Sequence, residues 1–242
     1  MEKKILGSVG LFLLMVIFTF SGCASAPPAP DSTSSTSSSS SSPDSRCSSG
    51  PAIKIMSLFN AADTQKALDT GADINACVTE DKTALMSATA LKNIEVAKLL
   101  LEKGAKVDAR TKDNWTALMM AANTNVLEIA GALLEKGADP NATTGENGFN
   151  SLLLAIAQGN LPMVQLLVEK GAKLDVNARI EKKWVTPLLL AIGKKSLPIV
   201  QFLVEKGADV NFVTPGGMTA LATAQAMELK EIADYLAAHG AK

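Results

Sequence analysis

The sequence predicts an all-α solenoid of paired short antiparallel helices joined by hairpin-like fingers. Three observations carry this reading. The dipeptide Gly-Ala recurs at Gly71, Gly104, Gly137, Gly171, Gly207 and Gly240, at spacings of 33, 33, 34, 36 and 33, and a fixed period of this size marks a repeat architecture. Thr83, Thr116, Asn150, Thr186 and Thr219 each stand 21 residues before one of those glycines. That interval never varies, so it is a fixed unit, and all length variation falls in the loop that follows each glycine. The chain is also 47% hydrophobic but only 4% aromatic. An Ala/Leu-rich composition suits small helices better than strands of aromatic and β-branched residues.

Taken in order, residues 1–22 read as an export leader. Lys3 and Lys4 precede an almost continuous apolar run from Ile5 to Phe20, shorter than the roughly 20 residues a membrane span needs. The small residues ahead of Cys23 resemble a bacterial lipobox, with Phe20 where that pattern prefers leucine. The resemblance implies cleavage before Cys23 and lipidation of its thiol and new N-terminus with several acyl chains such as palmitate. One chain binds a membrane marginally, and two or more anchor stably. Ala24 follows, where an aspartate would signal inner-membrane retention. The expected location is the cell envelope, and the outer membrane (periplasmic face or surface) where the cell has two. Residues 23–50 form a tether: Pro27, Pro28 and Pro30 lead into a stretch in which twelve of residues 31–50 are serine. Such a segment cannot bury a core and is expected to be disordered.

Residues 51–79 read as an irregular N-terminal cap, because Ala61-Ala62 stand too close to Gly71 to form a full unit. Five repeats fill 80–242. In one, Leu118, Ala121 and Ala122 lie at helical spacing, and Val126, Ile129, Ala130, Leu133 and Leu134 make a second such face. Leu118, Ile129, Leu133 and Leu166 are expected to be buried. Glu95, Glu128, Pro162, Pro198 and Glu231 fall where the second helix begins. Glutamate complements the positive end of the helix dipole, and proline lacks a donor that would go unpaired there. Each glycine then ends the helix as a left-handed cap. Asp73–Asn75, Asp139–Asn141 and Asp209–Asn211 read as turns into the next unit. Lys230 and Asp234 make the last unit polar, as a C-terminal cap requires.

Thr83-Ala84-Leu85, Thr116-Ala117-Leu118 and Thr186-Pro187-Leu188, together with Leu-Leu-x-x-Gly-Ala and the 33-residue period, resemble ankyrin repeats. Tetratricopeptide repeats have a similar period, but their characteristic aromatic positions are missing here. The resemblance implies a non-enzymatic binding scaffold whose fingers and inner helices form a concave surface. The family's histidine after Thr-Pro-Leu is replaced by Met86, Met119, Leu153, Leu189 and Ala222. Stability should therefore lean on apolar stacking rather than on a histidine hydrogen-bond network.

Several functions are argued against. The net charge is −1, with no basic field to attract nucleic acid. His239 is the sole histidine and three cysteines are too few for a disulfide scaffold. No glycine-rich phosphate loop, HExxH or CxxC motif is present. No catalytic residue, metal site or cofactor is expected.

Function is expected in the fingers. Lys82, Trp115, Phe149, Val185 and Met218 immediately precede the threonine-equivalents, and Trp184 stands one further back. Trp115, Phe149 and Trp184 would form either an exposed aromatic stripe, as an interface hot spot needs, or packing that stiffens finger against finger. The 36-residue interval lengthens one finger and supplies Arg179, Lys182 and Lys183 beside Trp184. That cluster would suit an acidic, glycan-like or lipid-headgroup partner, or be a solvated turn. Cys47 and Cys77 would either pair, tying cap to array, or remain free thiols. The function expected is a membrane-anchored interaction scaffold of the bacterial envelope, monomeric, binding an unidentified protein. The alternatives are a protective or inhibitory lipoprotein acting on an exported enzyme or toxin, and a surface protein that engages host molecules.

Overall fold

The computed structural model describes residues 48, 50–79, 81–145, 148–173 and 186–242. Cys23, Cys47, Arg179, Lys182, Lys183 and Trp184 lie outside the described residues, as does all of the leader. The described part holds eleven α-helices: α1 (Ala61–Asp69), α2 (Ala84–Ala90), α3 (Ile94–Glu102), α4 (Ala117–Thr124), α5 (Leu127–Glu135), α6 (Ser151–Gln158), α7 (Leu161–Glu169), α8 (Pro187–Gly193), α9 (Leu197–Glu205), α10 (Ala220–Ala226) and α11 (Lys230–Ala238). A 3-10 helix at Ile55–Phe59 precedes them. Even-numbered helices are inner and odd-numbered helices outer; each packs against its partner, each inner helix against the inner helix of the next repeat, and the outer helices likewise except between α7 and α9. The cap at 51–79 is a shortened version of the same pair: the 3-10 helix takes the inner place and α1 the outer.

The threonine marker is a helix N-cap. Thr83, Thr116, Asn150, Thr186 and Thr219 each accept, through the side-chain oxygen, the N–H three residues on, at 2.8–3.3 Å. This occupies one of the donors that a helix start leaves without a partner. Glu95, Glu128 and Glu231 fall in the first turns of their outer helices, as do Pro162 and Pro198.

The Gly-Ala marker is a Schellman closure. Gly137 N–H donates to Leu134 O and Ala138 N–H to Leu133 O, at 3.1 and 3.0 Å. The same pair of bonds recurs at Gly71, Gly104, Gly171, Gly207 and Gly240. All six glycines are left-handed, with φ from 84° to 94°. The alanine that follows is buried from Ala105 onward and supplies the apolar contact this motif favours.

The inner helices end in the same closure without a sequence marker, except that Asn125 N–H reaches Ala121 O and not the carbonyl three residues back. Val126 N–H donates to Ala121 O, and its equivalents Asn93, Asn160, Ser196 and Leu229 donate to Ala88, Ala155, Ala191 and Ala224. The left-handed residue is Lys92, Asn125, Lys195 or Glu228 in four repeats, with φ 58–61°, and Gly159 in the other.

The core runs the length of the stack. Leu118, Ile129 and Leu133 are fully buried as expected. Leu166 is corrected: it is half-buried, and its neighbour Leu167 takes the core position. The two lie about 100° apart around the helix, and in this helix it is Leu167 that has the inward direction. Met86, Met119, Leu153 and Leu189 are buried at the position where a histidine would otherwise stand, while Ala222 is exposed.

Among the described residues, four joints between repeats are also clamped by one polar side chain each. Asn75, Asp108, Asn141 and Asn211 accept the N–H of Lys106, Asp139, Lys173 and Lys242, at 2.7–2.9 Å. Asn141 and Asn211 also donate, through Nδ2, to Gly171 O and Gly240 O at 3.2 and 3.0 Å. The turn residues therefore hold repeat to repeat as well as forming turns. In three repeats Asp73, Asp139 or Asp209 first fixes the clamp residue by accepting its backbone N–H at 2.9 Å.

Candidate interaction surface

Four of the fingers fall largely within the described residues, and a buried threonine closes three of them at the base. Thr111 N–H donates to Trp115 O at 3.0 Å, and Trp115 N–H returns to Thr111 Oγ1 at 3.0 Å. Thr144 and Phe149 make the same exchange at 2.7 and 3.1 Å, as do Thr214 and Met218 at 2.9 and 3.0 Å. A left-handed Asn114, Gly148 or Gly217 reverses the chain just before each aromatic or methionine. In the first finger Val78 N–H donates to Lys82 O at 2.8 Å. Thr111, Thr144 and Thr214 were not singled out by the sequence reading. Their signal is a threonine four or five residues before the residue that precedes the helix cap.

Of the two alternatives for the finger aromatics, an exposed row or packing within the array, Phe149 follows the packing one and Trp115 lies between them. Phe149 is 7% exposed and belongs to the core. Trp115 is half-buried and packs against the same core, and Lys82 and Met218 are half-buried too. What the fingers expose lies farther out: Lys112 and Asp113 on one, Val213 and Pro215–Gly217 on another. The first three fingers are also tied sideways, with Lys112 N–H on Asp81 Oδ2 at 3.1 Å and Gly145 N–H on Asp113 O at 3.2 Å. The result is a pre-formed ridge, which loses little conformational freedom on binding.

At the opposite edge, where inner helices turn into outer ones, Phe59 and Leu91 are exposed by 57% and 45%. Asn93 Nδ2 donates to Leu58 O and Phe59 O beneath them, at 3.0 and 3.1 Å.

The chain enters the array through a short strap. Ser48 and Ala52 form parallel bridges to Ala76 and Asp73. Ser48 N–H donates to Asn75 O at 2.9 Å, Asp73 N–H to Pro51 O at 2.8 Å, and Cys77 N–H to Ser48 O at 3.3 Å. Ile53 is 1% exposed and plugs the core beneath. The Ser48 hydroxyl donates to the Asp73 carboxylate. That bond, helped by the Asn75 N–H and the Lys106 charge, holds the Asp73 carboxyl below the usual carboxylate range against a small opposing effect of burial. A lowered value means the contact is kept at neutral pH and given up as pH falls through it. Cys77 is disulfide-bonded.

Among the described residues, no group of three or more His, Cys, Asp or Glu could hold a metal ion, and no helix is long and apolar enough to cross a membrane. His239 sits against Tyr235, with Nδ1 2.8 Å from Tyr235 O and ring centroids 4.0 Å apart. A family model for ankyrin repeats, in three copies, matches residues 53–144, 109–179 and 152–242. The chain belongs to the ankyrin-repeat family. The comparison with curated proteins returns no match. Ankyrin repeats form a protein–protein interaction domain, and ankyrin-repeat proteins are typically non-enzymatic interaction scaffolds.

Proposed function

We propose that this ankyrin-repeat protein is a scaffold of the bacterial cell envelope, held to a membrane by lipid on Cys23 and binding a protein partner along its finger ridge. The carrying observation is the ridge formed by the first three fingers, two of them closed by buried threonines and all three tied sideways, presenting Lys112 and Asp113 to solvent. The leader ending at Cys23 and the serine-rich tether support the address. As a flexible coil, the tether would hold the array about 25–35 Å from the membrane. Arg179, Lys182, Lys183 and Trp184 in the lengthened finger would extend the same ridge. Cys47 is the proposed partner of Cys77, because Ser48, its neighbour in sequence, lies alongside Cys77.

Crosslinking in intact cells, with a photoreactive residue at Lys112, tests the surface. A discrete protein adduct that disappears on Lys112/Asp113 charge reversal is the expected result. Adducts only from the Phe59/Leu91 edge would move the site there. For the anchor, Cys23→Ala should release the protein from the membrane fraction. Retention with unchanged processed size would overturn the lipid reading.

A further inference from the structure

The array begins with a substitute for a missing repeat. In four later repeats, the backbone N–H two residues after the glycine is taken by a side chain of the repeat before: Lys106 by Asn75, Asp139 by Asp108, Lys173 by Asn141 and Lys242 by Asn211. The equivalent donor in the cap is Asp73 N–H, and Pro51 O accepts it at 2.8 Å. The strap thus supplies from its backbone what a preceding repeat would supply from a side chain. Its fit is close at one point: a Cβ on Gly50 would stand 2.6 Å from Asp73 Oδ2 and 2.9 Å from Asp73 Cβ. Apart from Ile53, the strap buries little, since Pro51 and Ala52 are exposed. A segment with three backbone bonds and one buried side chain belongs to the part of a fold that opens first.

The disulfide sits where it decides that opening. Cys77 N–H is itself one of the strap's three backbone donors or partners, bonded to Ser48 O at 3.3 Å, and the Cys77 sulfur is covalently closed. A crosslink beside the strap limits how far an opened strap can drift, which keeps its effective concentration at the first finger high.

We propose that Ser48 and the segment Gly50–Ile53 act as a detachable end-cap, and that the redox state of Cys77 sets whether the cap stays on. The inference rests on the Cys47–Cys77 pairing given above. Oxidised, the strap covers the backbone edge of the first finger. A dithiol reductant releases it: one thiolate attacks a sulfur of the bond, a mixed disulfide forms, and the second thiol resolves it. Two electrons pass from the dithiol, which leaves as a disulfide, and Cys77 and Cys47 leave as thiols. The uncovered edge carries the N–H of Asp73, the C=O of Asn75 and the N–H of Cys77. This is a bare strand edge of the kind that extended segments pair with.

Amide hydrogen exchange on the full-length protein, with and without dithiothreitol, tests this. Non-reduced peptide mapping comes first: no Cys47–Cys77 crosslink overturns the pairing and the proposal together. With the crosslink present, reduction should speed exchange at Asp73 and Cys77 by about tenfold or more, while Asp139 and Lys173 amides stay unchanged. Unchanged exchange at Asp73 and Cys77 overturns the end-cap and leaves the pairing standing. Equal acceleration throughout the array also overturns it, because the bond would then hold the whole fold. Gly50→Val should raise exchange at the same two amides in the oxidised protein. If those amides stay protected in that variant, the strap is not what covers them.

Discussion

The outer and inner helices of each repeat share the closing hydrogen bond to the carbonyl five residues back, yet the outer ends are all glycine and the inner ends are not. Backbone angle explains the difference. At the outer ends φ is 84–94°, whereas at Lys92, Asn125, Lys195 and Glu228 it is 58–61°. The second range lies in the left-handed well that side chains tolerate, and the first lies beyond it. The residue five before the C-terminal member of each closure differs as well. It is Leu100, Leu133, Leu167, Leu203 and Leu236 at the outer ends, but Ala88, Ala121, Ala155, Ala191 and Ala224 at the inner ends. All ten are fully buried. Outer ends therefore anchor by bulk and a required glycine, and inner ends by close approach and a tolerant turn.

Four substitutions would break or sharpen that contrast. Leu133→Ala should have the largest effect, a loss of about 2–5 kcal/mol in denaturant unfolding; a loss below about 1 kcal/mol would mean that outer leucines do not anchor the stack. Gly137→Ala should cost about 1–2 kcal/mol. Nothing lies within 4 Å of the added Cβ, so the whole cost would come from backbone angle, and an unchanged midpoint would refute the angular explanation. Asn141→Ala removes one acceptor and one donor at the outer closure of the next repeat. Because the site is partly exposed, the expected loss is about 1 kcal/mol, with faster exchange at Lys173 N–H as its local signature. Lys195→Gly should be nearly silent, within about 0.5 kcal/mol, because relief of the left-handed penalty offsets the added freedom of the unfolded chain. A loss comparable to that at Gly137 would show that the inner turn is not tolerant.

Much of the stack was legible because its markers are enforced by backbone geometry. Gly104 and Thr116 do the same job in every repeat, so they recur at fixed intervals. Inner turns were not legible, since Lys92, Asn125, Lys195 and Glu228 share a conformation but no chemistry. Leu166 and Leu167 differ only by which way a short helix is rotated, which a Leu-Leu pair does not reveal. The finger aromatics were found, but not their direction. Thr144 bonds the backbone of Phe149 on both sides, but the same exchange holds the half-buried Trp115 and Met218, so depth is set by the side chain's fit to the stack and not by a motif. The strap left almost no trace, because backbone atoms of Ser48 and Pro51 make its bonds. Only Gly50 hints at the close approach.

The clamp between repeats also bears on how the protein ages. Asparagine side chains deamidate slowly to aspartate, and Asn75, Asn141 and Asn211 all stand at the clamp position. Asp108 already shows the product in place: it still accepts the N–H of Asp139, at 2.9 Å. Hydrolysis of the Asn141 amide to aspartate would keep the bond to Lys173 N–H and set a carboxylate oxygen against Gly171 O in place of the donor. At an exposed site, where that oxygen can turn to water, the exchange costs about 1 kcal/mol. Chemical wear at these sites should therefore loosen one joint at a time and leave the stack standing.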